Sequence, residues 1–229
     1  MRRTKVLTMF EDIRLVAIDI NGTLIDGEYH SWNWVFENGL GLRKRQNAVP
    51  LKWYEVQTGR LAFEDVVSQT YESVDHKSVF EEANRVFMAD LRLRDGCTDL
   101  LESLKQRFTL VVCSDTSGVT KVIVKAFGLE KYFSSSFYSI DLGWLKSDRK
   151  FWEVFLKSFP DATPNEFMMF GDNVRCDIHW PNFFGMSTVQ IKTTEKLTPQ
   201  SLEVFDKYDR ATASINDLDE LRSLITSDS

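Results

Sequence analysis

The run Ile13–Ile20 is apolar at nearly every position and rich in β-branched residues, the pattern of a strand buried on both faces, as in a parallel sheet. Three further short apolar runs share it: "FTLVVCSD" (108–115), "FMMFGD" (167–172) and "STVQIK" (187–192), the first two ending in small or acidic residues. Helical patterns separate them. "CTDLLESLKQ" precedes the second run, "SGVTKVIVKAFG" follows it with Gly128 as C-cap, and "SDRKFWEVFLKSF" precedes the third. "FYSID" (137–141) reads as one more short strand. The alternation predicts an α/β fold with a parallel central sheet and helices on both faces.

Residues 28–93 break this rhythm, with no strand pattern and four helical stretches in succession. The first opens at Ser31, with Trp32, Val35 and Phe36 at helical spacing, and stops near Gly39 and Gly41. The second has Pro50 near its start and Gly59 just past its end. The third runs from Phe63 to about Ser73; the fourth follows a capping Ser78, with Phe80, Ala83, Phe87 and Leu91 on one face. The pattern predicts a helical unit (27–93) inserted into a core made of 1–26 and 94–229, with hinges at Asp26-Gly27 and Arg94-Asp95-Gly96. The tail "ITSDS" is expected to fray.

The 229 residues suffice for a proper core, and 43% hydrophobic with 27% charged residues is the composition of a folded soluble protein. Lys plus Arg number 28 against 34 Asp plus Glu, a net charge of −6 with the basic residues scattered, which disfavours nucleic-acid binding. The basic opening Arg2, Arg3 and Lys5 precedes too short an apolar stretch for a secretory signal, and no run approaches a membrane span, so a cytoplasmic location is expected. Cys97, Cys113 and Cys176 are odd in number and widely spaced, which suits reduced thiols rather than disulfides or a zinc site.

Candidate chemistry gathers where apolar runs end. Asp19 and Asn21 stand two positions apart at the end of the first, and in an α/β sheet ligands bind outside the carboxyl ends of the strands. Asn21-Gly22 is equally a hairpin signal, although only "TLID" would remain for the returning strand. In "FGDNVRCDI", Asp172 ends a strand and Asp177 follows at the start of a helix, a pair of hard oxygen ligands suited to Mg²⁺, or else a turn residue and a helix-start residue. Lys146 precedes a helix start, where the dipole disfavours a cation unless an anion lies beyond it; a solvated surface lysine is the alternative. Ser114 ends the second run, and its hydroxyl could hold a phosphate oxygen.

Taken in order, Asp-x-x-Gly-Thr after the first strand, a helical insert, a strand ending in Ser, Lys before a helix, and strand-Gly-Asp-x-x-x-x-Asp resemble the haloacid dehalogenase superfamily over about residues 13–190. The resemblance implies a three-layer Rossmann-like core with a small all-helical cap, and a Mg²⁺-dependent hydrolase acting on a small phosphorylated metabolite. Asp19 would be the nucleophile, forming an aspartyl-phosphate. Mg²⁺ would be held by Asp19, the backbone carbonyl of Asn21, Asp172 and Asp177; Lys146 would bridge nucleophile and phosphate, and Thr23 and Ser114 would position the transferring group. The resemblance says nothing of oligomeric state.

Asn21 departs from the family's phosphatases, which carry at this position an aspartate that protonates the leaving oxygen and then activates water. An amide does neither, and the general acid–base contribution of about 10²–10⁴-fold should be largely lost. The chain is then a slow phosphatase, or one for leaving groups that need little protonation, with Glu28 or His30 as stand-in acids. Alternatively it binds a phospholigand without turnover, or asparagine was introduced at position 21 in place of an aspartate to trap a complex. A dehalogenase needs no acid there, but its family members work without metal, and Asp19, Asp172 and Asp177 would repel one another unless a cation sat among them. Phosphonate cleavage would need a cap lysine, for which Lys44, Lys52 and Lys77 are candidates; a solvated face is the alternative for each. Trp32, Trp34 and Trp53 read as the core of the helical unit rather than as a substrate pocket.

Overall fold

Eight strands occur among the described residues: β1 (Leu15–Ile18), β2 (Ile25–Gly27), β3 (Leu91–Leu93), β4 (Thr109–Ser114), β5 (Ser135–Tyr138), β6 (Phe167–Gly171), β7 (Ser187–Ile191) and β8 (Ala213–Ile215). This computed structural model describes residues 10–192 and 206–226; Arg2, Arg3, Lys5 and the last three residues of the tail lie outside the described residues. Six of the strands form one sheet in the order β5-β4-β1-β6-β7-β8, and every pairing within it is parallel.

Both faces of this sheet are covered, and the alternation along each central strand sorts side chains between them. Val16, Ile18, Leu110, Val112, Met168 and Phe170 face one way, against Leu100, Leu104, Ile123 and Leu221 of the helices Cys97–Lys105, Val119–Ala126 and Leu218–Thr226. Leu15, Ala17, Val111, Cys113, Phe167 and Met169 face the other way, against Phe151, Trp152 and Phe155 of the helix Arg149–Lys157. The near-continuous apolar runs thus mark strands buried on both sides. The result is a three-layer α/β Rossmann-like fold.

The chain builds β1, β4 and β5 in one direction across the sheet, then returns to place β6, β7 and β8 on the other side of β1. The strand order reverses between β1 and β6, and a crevice opens outside their carboxyl ends. Asp19 follows β1 and Asp172 follows β6, so both carboxylates sit at this switch point.

Two expectations need correction. The segment 28–93 is not free of strand, because Leu91–Leu93 pairs antiparallel with Ile25–Gly27 to form a separate two-stranded ribbon. Leu91 is buried in that ribbon rather than on the preceding helix, Val79–Phe87, whose apolar spacing it happens to continue. "FYSID" is likewise displaced: β5 covers Ser135–Tyr138, and Ser139–Leu142 is a short helix.

The four helical stretches expected within 28–93 are present, as Trp32–Trp34 continued by a π-turn Val35–Gly39, then Trp53–Gln57, Phe63–Thr70 and Val79–Phe87. Ser31 caps the first, its hydroxyl accepting from Trp34 N–H. Trp32 packs on Phe36, Trp53, Phe63 and Phe87 with ring centroids 4.8–5.8 Å apart, an aromatic core continuous with the apolar layer beneath the sheet. Trp34 lies outside it, exposed and stacked on His30. All three cysteines are free thiols, Cys97 and Cys113 buried and Cys176 half-buried. No helix among the described residues is long and apolar enough to cross a membrane.

Candidate active site

β1 ends at Ile18, and Asp19 continues its ladder by one bond, its N–H donating to the Phe170 carbonyl (2.9 Å). The chain then folds over itself: the amides of Leu24 and Ile25 both donate to the Ile20 carbonyl (2.9 Å). Gly22 takes φ +81° in this loop, a left-handed conformation natural to glycine. Asn21-Gly22 is therefore no hairpin turn, because β1 pairs with β4 and β6 while β2 pairs with β3. A Cβ on Gly22 would stand 2.5 Å from Asp172 Oδ2, so the absence of a side chain lets the loop press against that carboxylate.

Asp19, Asp172 and Asp177 each offer an oxygen within 4.8 Å of the others. Lys146 joins them, its Nζ 2.9 Å from Asp19 Oδ1 and 2.6 Å from Asp177 Oδ1. Lys146, Asp19 and Asp177 are all buried. Asp177 lies in a π-turn, Val174–Ile178, with its Oδ2 accepting from Asn173 N–H (2.9 Å), and Asn173 caps that turn. A Cβ on Gly171 would stand 2.3 Å from Asp177 Cγ, so a second glycine admits this carboxylate to the cluster.

Three carboxylates and one ammonium leave an excess of negative charge in a dry place. Burial first, and then the neighbouring Asp19, push the Asp172 carboxyl up to about 6. Burial also dominates at Asp177, raising it to about 8, with Lys146 opposing and Asp19 and Asp172 adding to the rise. The nearby carboxylates hold Lys146 charged despite its burial. These are the electrostatics of a cation site: oxygen donors only, mutually repelling until a divalent ion joins them. Mg²⁺ fits this donor set.

The raised carboxyls have a consequence for stability. Between their unfolded value near 4 and their folded values, the metal-free native state holds more protons than the unfolded chain, so their contribution falls as pH rises from about 4 to 8. A bound cation relieves that penalty where it is largest. The melting-temperature gain from added Mg²⁺ is expected to be greater at pH 8 than at pH 5.5, read by differential scanning fluorimetry; a gain independent of pH would contradict it.

The remaining predicted residues are placed as follows. Thr23 is buried in the loop with its Oγ1 lacking a hydrogen-bond partner. Ser114 is buried at the end of β4. Asn21 turns its Nδ2 to Thr120 Oγ1 (3.0 Å), leaving its buried Oδ1 without a partner. His30 contacts Asp90 (3.2 Å) and Glu28 (3.9 Å). Lys44, Lys52 and Lys77 are exposed, and Lys44 pairs with Glu37.

Several residues that shape the site carry no motif. Asp115 accepts from Lys146 N–H (2.7 Å) and so anchors the backbone that presents the lysine; burial pushes its carboxyl up. Its position after Ser114 at a strand's carboxyl end was the available signal. Trp152 donates from its indole to the Lys146 carbonyl (2.7 Å). Thr116 Oγ1 accepts from Gly118 and Thr120 N–H at the start of the helix Val119–Ala126, and so fixes the backbone that carries the hydroxyl Asn21 meets. Tyr29 and Arg94 reach into the loop from the two ends of the ribbon.

The family model for haloacid dehalogenase-like hydrolases matches residues 13–179, and the chain belongs to that family. It is 23% identical over 184 residues to the YfnB protein of Bacillus subtilis (strain 168), covering 76% of this chain and 74% of that one. A magnesium-bound crystal structure of YfnB superposes with a TM-score of 0.64 at 19% identity, covering 93% and 98% of the two chains. A HAD family enzyme from Bacteroides thetaiotaomicron, in complex with magnesium and inorganic phosphate, gives 0.64 at 18% identity over 81% and 98%. The 2-haloacid dehalogenase of Pseudomonas syringae gives 0.58 at 19% over 95% and 100%. Likeness at these identities establishes the shared fold.

Proposed function

We propose that this hydrolase is a Mg²⁺-dependent phosphatase of small phosphomonoesters, working through an aspartyl-phosphate on Asp19 and slow or specialised because Asn21 occupies the place of the proton carrier. The observation that carries the reading is the convergence of Asp19, Asp172, Asp177 and Lys146, distant along the chain, on one buried cluster.

Mg²⁺ would be held by Asp19, the Asn21 carbonyl and Asp172, with Asp177 as a direct or outer ligand, and would neutralise the phosphate's charge against the attacking carboxylate. Lys146 holds Asp19 in place through its 2.9 Å contact and adds positive charge beside the transferring group. The Thr23 hydroxyl, unpartnered in the described structure, and Ser114 supply donors for phosphate oxygens. An Asp19 oxygen forms a bond to phosphorus while the ester oxygen leaves with its electron pair. Water then attacks phosphorus, releasing phosphate and restoring the carboxylate. Residues 27–93 act as a cap that excludes water; Arg60 donating to the Gly143 carbonyl (3.4 Å) and Tyr54 donating to Asp148 (3.3 Å) supply contacts across which it closes.

With an amide at position 21, the leaving oxygen departs without a proton. Aryl and acyl phosphates are therefore expected to turn over about 10²-fold or more faster than alkyl phosphates, and only with Mg²⁺ present. Assay of 4-nitrophenyl phosphate, a simple alkyl phosphate and a haloacid, each with Mg²⁺ and with chelator, tests this. Haloacid turnover indifferent to chelator would overturn the phosphatase reading. The lock between Asn21 and Thr120 favours a second reading, a phospholigand-binding protein without turnover; inorganic phosphate would then stabilise the fold while no ester is hydrolysed.

A further inference from the structure

The chain leaves the core through β2 and returns through β3, and a side chain just beyond each strand reaches back to the same glycine. Gly22 N–H is shared between the Tyr29 hydroxyl (2.9 Å) and the Ile25 carbonyl (3.0 Å), and the same hydroxyl donates to that carbonyl (2.7 Å), so Tyr29 closes the triangle. Burial pushes its phenol well above the ordinary value, so the hydroxyl keeps the proton it donates. From the other crossing, Arg94 donates through Nη2 to the Gly22 carbonyl (2.9 Å) and through Nε to the Thr23 carbonyl (3.1 Å). Both peptides flanking Gly22 are thus gripped, one from each side of the insert.

Gly22 N–H belongs to the same planar trans peptide as the Asn21 carbonyl, and the two point in opposite directions. Whatever fixes the N–H fixes the carbonyl. That carbonyl accepts no hydrogen bond from the described residues. Gly22 also stands against Asp172, with only 2.5 Å between an added Cβ and Oδ2, so a shift of this loop is felt at the carboxylate.

We propose that Tyr29 and Arg94 are positioning residues, which hold the peptides on either side of Gly22 and so aim the Asn21 carbonyl as a metal ligand and tie the insert's two crossings to the cation site. This rests on the preceding reading of that carbonyl as a Mg²⁺ ligand. The sequence offers no signal for it, since Tyr29 and Arg94 lie 7 and 72 residues from Gly22.

The test is Tyr29→Phe, which keeps the ring packed beside Phe87 and removes only the hydroxyl. In the metal-free protein, hydrogen exchange at the Gly22 amide, followed by NMR, is expected to accelerate. The Mg²⁺ dissociation constant, measured by calorimetry, is expected to rise by about three- to tenfold, the range that loss of one net hydrogen bond gives. A merely structural tyrosine would lower the metal-free melting temperature and leave the Mg²⁺ constant unchanged, which overturns the proposal. Wild-type protein that takes up no Mg²⁺ would sink the metal reading and this proposal together, whereas wild-type uptake with an unchanged Tyr29→Phe constant sinks this proposal alone. Should Tyr29→Phe fold poorly, Arg94→Lys, which keeps the charge near Asp26 but loses the planar fork whose two nitrogens hold the Gly22 and Thr23 carbonyls, gives the same readout.

Discussion

Asn21→Asp is expected to raise the turnover of an alkyl phosphate by about tenfold or more, with a smaller gain on an aryl phosphate whose leaving group already departs unassisted. The change is nearly isosteric. Thr120 Oγ1, 3.0 Å from the amide nitrogen, can donate to a carboxylate as readily as it now accepts, so the loop is expected to hold its shape. The new carboxyl would supply a proton to the ester oxygen in the first step and take one from water in the second. The gain should appear in kcat, because an interaction made only in the transition state does not tighten substrate binding. Equal gains on both substrates, or no gain, would mean that position 21 is not the site of proton transfer.

Asp19→Asn is expected to reduce turnover of every ester below detection, since an amide oxygen does not displace the leaving group. Loss of fold would be the trivial explanation, and the surrounding contacts argue against it. Lys146 keeps its 2.6 Å partner Asp177, and the metal-free cluster loses one of three mutually repelling carboxylates. The metal-free melting temperature should therefore stay level or rise while activity vanishes. Intact mass spectrometry of acid-quenched reactions would show a phosphorylated species for the wild type and none for Asp19→Asn. Residual hydrolysis with a phosphorylated Asp19→Asn protein would move the nucleophile elsewhere.

Much of this was legible in the sequence, for a physical reason. β1, β4 and β6 are buried on both faces and so appear as near-continuous apolar runs, and the residues that end them reach the crevice because strand order reverses between β1 and β6. The order of Asp19, Ser114, Lys146, Asp172 and Asp177 then identified the family. What escaped was short or non-local. β8 has three residues, Ala-Ser-Ile, and β5 opens with two serines, too little pattern for either to stand out. β3 follows a helix whose spacing Leu91 continues by coincidence. The partner of Asn21 is equally non-local: the loop folds over at Ile20 and the amide meets Thr120, 99 residues away. Asp115, Tyr29 and Arg94 act through hydrogen bonds to backbone, which leave no periodic trace.

The central claim is that one divalent cation binds among Asp19, Asp172 and Asp177, and its most direct test is anomalous diffraction from crystals soaked in Mn²⁺, a probe that shares the oxygen preference of Mg²⁺. The account predicts a single strong peak between the carboxylates of Asp19 and Asp172, with oxygens at about 2.0–2.2 Å. No peak there at saturating Mn²⁺, or a peak held by other residues, would contradict it.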